Sequence, residues 1–336
     1  MAAAVIERSW RDSTPESVED DLASLWRDIA GNGPSIARAV MANLIVFRFH
    51  ERRARPSDQP PLGTDDAIEA LIGLHPSRTI VIENQRGDNA EQSPTSAGVG
   101  ISVFGSAATR YGVERIVVRS ACADVSLPSI VRRFLRGDRP TSVWWTEDLS
   151  RDVPSDALVD LARQLIYDSR TWHDVRSGFD VVAPLATSQR IDVADMNWRR
   201  LDPIRRALAH AVDGLQPGSP PRLSIRHRPG EAALGWLLAG WLAARLHPPR
   251  NAWPSIEQSP AGDDVVTLVI DDGATRVTTT LTEDRVHVSR AGMAPIVIPS
   301  PREQPAEAMA AELRTLSRDA ALADALAAIG QRSVES

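Results

Sequence analysis

The chain has 336 residues, enough for two domains with cores of their own. Hydrophobic residues make up 43% and charged residues 24%, and the net charge of −6 argues against whole-surface attraction to nucleic acid or anionic membrane. All 38 basic residues are arginine, which excludes a P-loop lysine, a Schiff-base lysine and a lysine general base, so any anion site rests on arginine, histidine or backbone amides.

Thr14 and Pro15 predict the start of a first helix, with Leu22, Leu25, Trp26 and Ile29 as its apolar stripe and Gly31 as its stop. From Ser35 to His50 the expectation is a helix followed by a buried strand at Leu44-Ile45-Val46-Phe47. Arg52 to Pro61 reads as a charged, proline-rich loop, and Asp65 to Leu74 as a helix stopped at His75-Pro76. Arg78 to Ile82, Val99 to Phe104 and Glu114 to Arg119 are β-branched runs and predict strands, with the polar stretch 87–98 as a turn-rich connection.

Leu127, Ile130, Val131, Phe134 and Leu135 recur at helical spacing, with Arg132, Arg133 and Arg136 on the other side. Gly137 and Pro140 end that helix, and Thr141 to Trp145 predicts a strand. Successive strand residues face opposite ways, so Trp144 and Trp145 require cover on both faces of their sheet or a partner over one of them. A helix from Ser155 to Gln164 and a strand Leu165-Ile166-Tyr167 follow, and Arg176 to Ile191 reads as a less patterned connection. Beyond it come a helix from Met196 to Val212, a strand Leu223 to His227 and an apolar helix Glu231 to Leu246 carrying Trp236 and Trp241. Val265 to Ile270, Thr275 to Leu281 and Val286 to Ser289 predict an antiparallel meander turning at Asp271-Asp272-Gly273, and Pro305 to Ile329 predicts a closing helix.

The fold class expected is therefore α/β: a layered N-terminal sheet domain, then a smaller α+β domain with an antiparallel meander. The domain expectation is an N-terminal helix over 1–34, an α/β domain over 35–175 and a C-terminal domain over 190–330. MAAAVIERSW lacks a signal-peptide pattern, and the apolar run from Ala232 to Ala244 falls short of the ~20 residues a membrane span needs, so a cytoplasmic location is expected.

Catalytic and metal-binding motifs are scarce. No GxGxxG, HExxH, GxSxG or EF-hand loop occurs, and the single cysteine, Cys122, excludes an internal disulfide, a CxxC pair or a thiolate zinc cluster. His75-Pro76-Ser77-Arg78 brings imidazole, hydroxyl and guanidinium to a helix end, which suits a small anion; the alternative is a proline-fixed turn tied to neighbouring acids. Asp168-Ser169-Arg170, near Trp172 and His173, suits an acid–base cluster or a structural ion pair. Trp198-Arg199-Arg200 combines residue types enriched at interface hot spots. Gly235 and Gly240 would let a neighbour approach the apolar helix closely.

Five stretches, in order and at suitable intervals, carry a resemblance. They are His75 to Val81, Leu127-Pro128-Ser129 running to Trp144-Trp145, Tyr167 to Arg170, Asp195 to Leu201, and Leu238 to Leu246. Together they resemble the OpcA family, the glucose-6-phosphate dehydrogenase assembly proteins, over roughly residues 40–250. The resemblance implies a non-enzymatic partner that promotes oligomerisation and activation of the dehydrogenase at the entry to the oxidative pentose phosphate pathway, with no cofactor of its own. It also implies an interface, for which Trp145, Trp172, Trp198 and Arg199 are the expected exposed contributors. In cyanobacteria the family is tied to thioredoxin control, and Cys122 alone cannot supply an internal dithiol switch. The competing expectation is a sugar-phosphate sensor or enzyme with a pocket formed by His75, Ser77, Arg78, Asp168 and Arg170.

Overall fold

The computed structural model describes residues 5–31, 35–49, 64–84, 95–106, 109–120, 127–188, 190–211, 221–249, 252–260, 262–315 and 317–333. The expected loop at 52–61, the polar stretch up to residue 94, Val212 and Cys122 lie outside these. The first part of the chain runs β1 (Val5–Ser13), α1 (Val18–Ala30), β2 (Ile36–Arg38), β3 (Ala42–Phe49), α2 (Thr64–Leu74), β4 (Ser77–Asn84), β5 (Ser96–Gly105) and β6 (Arg110–Ser120). It continues with α3 (Leu127–Phe134), β7 (Thr141–Trp145), α4 (Asp156–Val159), β8 (Gln164–Tyr167), α5 (Val175–Ser188) and β9 (Asp192–Asp195). All nine strands join one sheet in the order β1-β5-β6-β4-β3-β7-β8-β9, with β2 beside the start of β6. From β6 to β9 the strands are parallel, and β5 and β1 extend the sheet antiparallel.

The double tryptophan shows why both faces are covered. Trp145 lies in one cluster with Ile45, Phe47, Ile80 and Val143, under α1, α3 and α5. Trp144 lies in the other with Leu44, Val46, Val81 and Ile166, under Ile68 and Leu71 of α2. Continuously buried strands such as β4 are what a parallel sheet between helical layers demands.

A 3-10 turn (Trp198–Leu201) leads into α6 (Asp202–Ala211), β10 (Arg222–His227) and α7 (Ala232–Leu246). Then come β11 (Ser255–Gln258), β12 (Val266–Asp271), β13 (Arg276–Leu281), β14 (Arg285–Arg290), β15 (Ile296–Pro299), α8 (Pro305–Arg314) and α9 (Ala320–Ser333). The second sheet has the order β11-β10-β12-β13-β14-β15 and is antiparallel except for the β10–β11 pair. The expected meander is its centre, and the positive φ of Gly273 makes the turn that Asp271-Asp272 begins. Gly240 of α7 permits the expected close approach: a Cβ there would meet the Ala325 carbonyl of α9 at 2.6 Å.

Several local expectations change. The segment read as a helix after Ser35 is strand β2, because Ile36–Arg38 pair with Arg110–Gly112 and Met41 donates its amide to Pro76. The amino terminus adds strand β1 before its helix, where Trp10 lies flat over Gly98 and Gly100. The helix expected over 155–164 is one turn, since Gln164 already pairs in the sheet. Residues 175–188, read as unpatterned, form α5: the ring of Trp172 occupies the space beside Gly178, and Phe179, Val182, Ala183 and Ala186 make a buried stripe around Pro184. The closing helix is two helices. Ala306, Met309 and Ala310 of α8 return to the Trp144 face of the first sheet, whereas Leu322, Leu326 and Ile329 of α9 join the other core.

Candidate functional site

Arg78 and His75 do not converge. Arg78 leaves β4 on the α1 side, fully buried; its Nη1 donates to Glu114 at 2.6 Å and its Nη2 to Glu19. Trp26 Nε1 donates to the same Glu114 at 2.8 Å, and Arg136 lies 3.3 Å from Glu19. Burial lowers the pKa of Arg78, and Glu114 and Glu19 oppose that shift by holding its charge. His75 and Ser77 belong to the opposite side, where His75 Nδ1 lies 3.1 Å from Ser77 Oγ. Burial, then the Arg314 guanidinium, holds the imidazole below its ordinary pKa. The five-residue anion pocket expected from sequence is therefore not assembled, because residues 77 and 78 of one strand face opposite layers and the Arg78 charge is met by two carboxylates.

The other two expected residues, Asp168 and Arg170, lie in a different place and bind each other. Asp168 and Arg170 follow β8, at the carboxyl end of the parallel sheet, where open α/β folds place their ligands. Arg170 Nε and Nη2 grip the Asp168 carboxylate at 2.5–3.1 Å. Beside them, at the end of β9, Asp195 is buried and accepts amide hydrogen bonds from Ser169 (3.1 Å) and Asn197 (2.9 Å) through Oδ1. Its Oδ2 has no hydrogen-bond partner among the described residues. Burial, then the neighbouring Asp168 charge, pushes its pKa up to about 7.

In front of this cluster a cavity of about 450 Å³ opens between the two sheets. Its floor is Arg170 and Arg200; its far wall comes from Arg228, Thr282 and Glu283 at the β13–β14 turn, and its rim from Pro299 to Glu303. Glu231 anchors the floor: 2% exposed, it accepts from Arg200 at 2.6 and 2.9 Å and from Arg228 at 3.3 Å. Arg228 also pairs with Glu283, which is half exposed. Sequence reading missed Asp195, Glu231 and Arg228 as a group. They stand at the end of β9, at the N-cap of α7 and just past β10, and only the packing of the second sheet against the first brings them together.

The expected contact residues are corrected by burial. Trp145, Trp172 and Trp198 are 4%, 7% and 3% exposed. Trp145 stacks on Phe47 at 4.1 Å, and Trp172 packs between Tyr167 and Phe179. Trp198 donates its Nε1 to Asp319 at 2.8 Å beneath the Arg205 guanidinium. Arg199 is partly exposed, but Glu303 just before α8 (2.7 and 2.8 Å) and Glu312 in its last turn (3.0 Å) hold it. Each tryptophan closes a core, so these side chains are structural in the folded chain.

Two family models match in chain order. Residues 68–183 match the N-terminal domain, and residues 191–326 the C-terminal domain, of a protein described as a glucose-6-phosphate dehydrogenase subunit. The chain belongs to the OpcA family. A curated relative, the putative OxPP cycle protein OpcA of Nostoc punctiforme, is 26% identical over 157 residues. That match takes in 45% of this chain and 32% of the relative, so the chain spans about a third of the length of the curated protein it matches. Among solved structures, this OpcA-family chain is similar to the UDP-N-acetylglucosamine 3-dehydrogenase GnnA of Acidithiobacillus ferrooxidans. The identity is 13%, with 87% of this chain and 96% of that one covered at a TM-score of 0.43. It is similar also to the 3-ketoreductase KijD10 of Actinomadura kijaniata, at 12% identity, 86% and 94% coverage and a TM-score of 0.45. Likenesses of this size carry no statement about activity. Among the described residues no helix of the OpcA-family chain is long and apolar enough to cross a membrane, and no group of three or more histidine, cysteine, aspartate or glutamate residues could hold a metal ion.

Proposed function

We propose that this chain is a non-enzymatic assembly factor that binds glucose-6-phosphate dehydrogenase and favours its active oligomer. The observation that carries the reading is the paired, ordered match to both domains described as a subunit of that dehydrogenase. The side chains that sequence offers for chemistry also favour it. Arg78 is tied to Glu114 and Glu19, and Asp168 to Arg170, in pairs that serve the fold. A partner acting in this way needs only different affinities for two forms of the dehydrogenase: the free-energy difference sets the population shift, and no group of its own need touch substrate.

The test combines rate and size. The dehydrogenase from the same organism is assayed by NADPH formation with and without this protein, and the mixture is passed through a sizing column. A higher rate or lower substrate requirement together with co-elution is expected. Unchanged kinetics and separate peaks refute the proposal.

A further inference from the structure

The cleft between the two sheets carries chemistry that the assembly reading does not use. Six arginines and five carboxylates line it, so a polyanion would meet repulsion as well as attraction. The cations are not equivalent. Arg200 and Arg199 spend their guanidiniums on Glu231 and on Glu303 and Glu312. Arg228 uses only Nη2, leaving Nη1 and Nε without a partner among the described residues, and exposed Arg302 at the rim makes no hydrogen bond among them.

One carboxylate differs from the rest. Glu231 is buried and doubly held by Arg200, so it remains neutralised whatever Arg228 does. Glu283 is half exposed on a hairpin turn, and Arg228 is its guanidinium partner; that pair holds its carboxyl below the usual range. An incoming anion can replace Glu283 at Arg228 while Glu283 swings into water, at a cost far smaller than uncovering a buried carboxylate. The remaining wall presents acceptor lone pairs on groups that already hold partners, the Glu303 carboxylate beside Arg199, Asp202 beside Arg205 and Glu307 at the start of α8, together with the Thr282 and Ser300 hydroxyls. Such a wall suits a ligand that brings hydroxyl donors along with one anionic group. A volume of about 450 Å³ fits a small metabolite.

We infer that this cleft binds a phosphorylated sugar, its phosphate held by Arg228 and Arg302 in place of Glu283 and its hydroxyls donated to the carboxylate wall. Because walls from both sheets close on one ligand, binding braces the antiparallel sheet against the parallel one. The inference concerns a small-molecule site and does not depend on the dehydrogenase reading.

The experiment is calorimetric titration of the purified full chain, alone, with glucose 6-phosphate, glucose and inorganic phosphate. Saturable binding of glucose 6-phosphate, with glucose and phosphate at least about tenfold weaker, is expected. Arg302→Gln and Arg228→Gln each weaken it about tenfold, and Glu283→Gln strengthens it by removing the competitor. Arg302 and Glu283 are surface residues, so these two variants keep the test open if Arg228→Gln fails to fold, which urea denaturation checks. No heat with any probe, phosphate binding as tightly as glucose 6-phosphate, or weaker binding in Glu283→Gln overturns the inference. Because no dehydrogenase is present, such a failure is distinct from a failure to co-elute with it.

Discussion

Arg78 offers the sharpest separation between a ligand-binding guanidinium and a structural one. Its side chain is 0% exposed and Glu114 is 2% exposed, with 2.6 Å between the bonded atoms. Glu114→Gln keeps an acceptor for Trp26 Nε1 but removes the charge that faces the guanidinium. Removing one partner of a buried pair costs about 3–5 kcal/mol, because the other charge is left in low dielectric. Here Glu19 still pairs with Arg78 and is 44% exposed, so the lower end, about 3 kcal/mol, is expected. At about 2–4 °C per kcal/mol, the melting temperature falls by roughly 6–12 °C. Arg78→Met with Glu114→Met removes both charges and loses less than the sum of the single changes, since neither is left facing apolar neighbours. Urea denaturation of the wild type, Glu114→Gln, Arg78→Met, Glu114→Met and the double Met variant, followed by tryptophan fluorescence, measures this. A loss under about 1 kcal/mol in Glu114→Gln, or strict additivity, would refute the structural assignment and return Arg78 to the list of ligand groups.

Three further outcomes follow from particular contacts. Gly240→Ala would set its Cβ 2.6 Å from the Ala325 carbonyl oxygen, so α7 and α9 must part, and a loss of about 1–3 kcal/mol in chemical denaturation is expected. Trp198→Phe keeps the packing but surrenders the Nε1–Asp319 bond, which should cost about 1.5–3 kcal/mol, whereas an exposed contact residue would leave stability unchanged. Asp195 titrates near 3.8 when unfolded and at about 7 when folded, so between those values the folded chain holds a proton that the unfolded chain has lost. Stability from this group is therefore full below about pH 4, is lost as pH rises through 7, and levels off above; urea midpoints across pH 4–8 should lose that slope in Asp195→Asn.

Elements with a one-dimensional signature were legible in the sequence. The apolar stripe of α1, the proline stop after α2, the β-branched run of β4 and the Asp-Asp-Gly turn of the meander each follow from a local preference of the residues involved. What escaped was set by pairing at a distance. Val5–Ser13 carries the adjacent charged pairs Glu7-Arg8 and Arg11-Asp12, with no alternating pattern, and becomes a strand by pairing with β5, whose Gly98 and Gly100 admit the Trp10 ring. Gly178 and Pro184 hide a helix whose stability comes from the buried stripe between Trp172 and α9. The same division governs the site. Reading Trp145, Trp172 and Trp198 as surface followed their residue type, but the layer beyond each one decides exposure, and sequence spacing does not contain that layer.

The arginine-only composition acquires its physical meaning in the cleft. A guanidinium can satisfy a buried carboxylate with one edge and still present donors with the other, as Arg228 does between Glu231 and the cavity, whereas an ammonium is a single point charge. Glu231 at the N-cap of α7 is thereby joined to the β13–β14 turn through one side chain, and Arg200 joins it to the end of the parallel sheet. Exchanging Glu283 for another anion leaves the Glu231–Arg200 pair intact while freeing the turn. The geometry thus concentrates change in the exposed hairpin and holds the buried junction fixed, which is the arrangement a ligand-responsive surface requires.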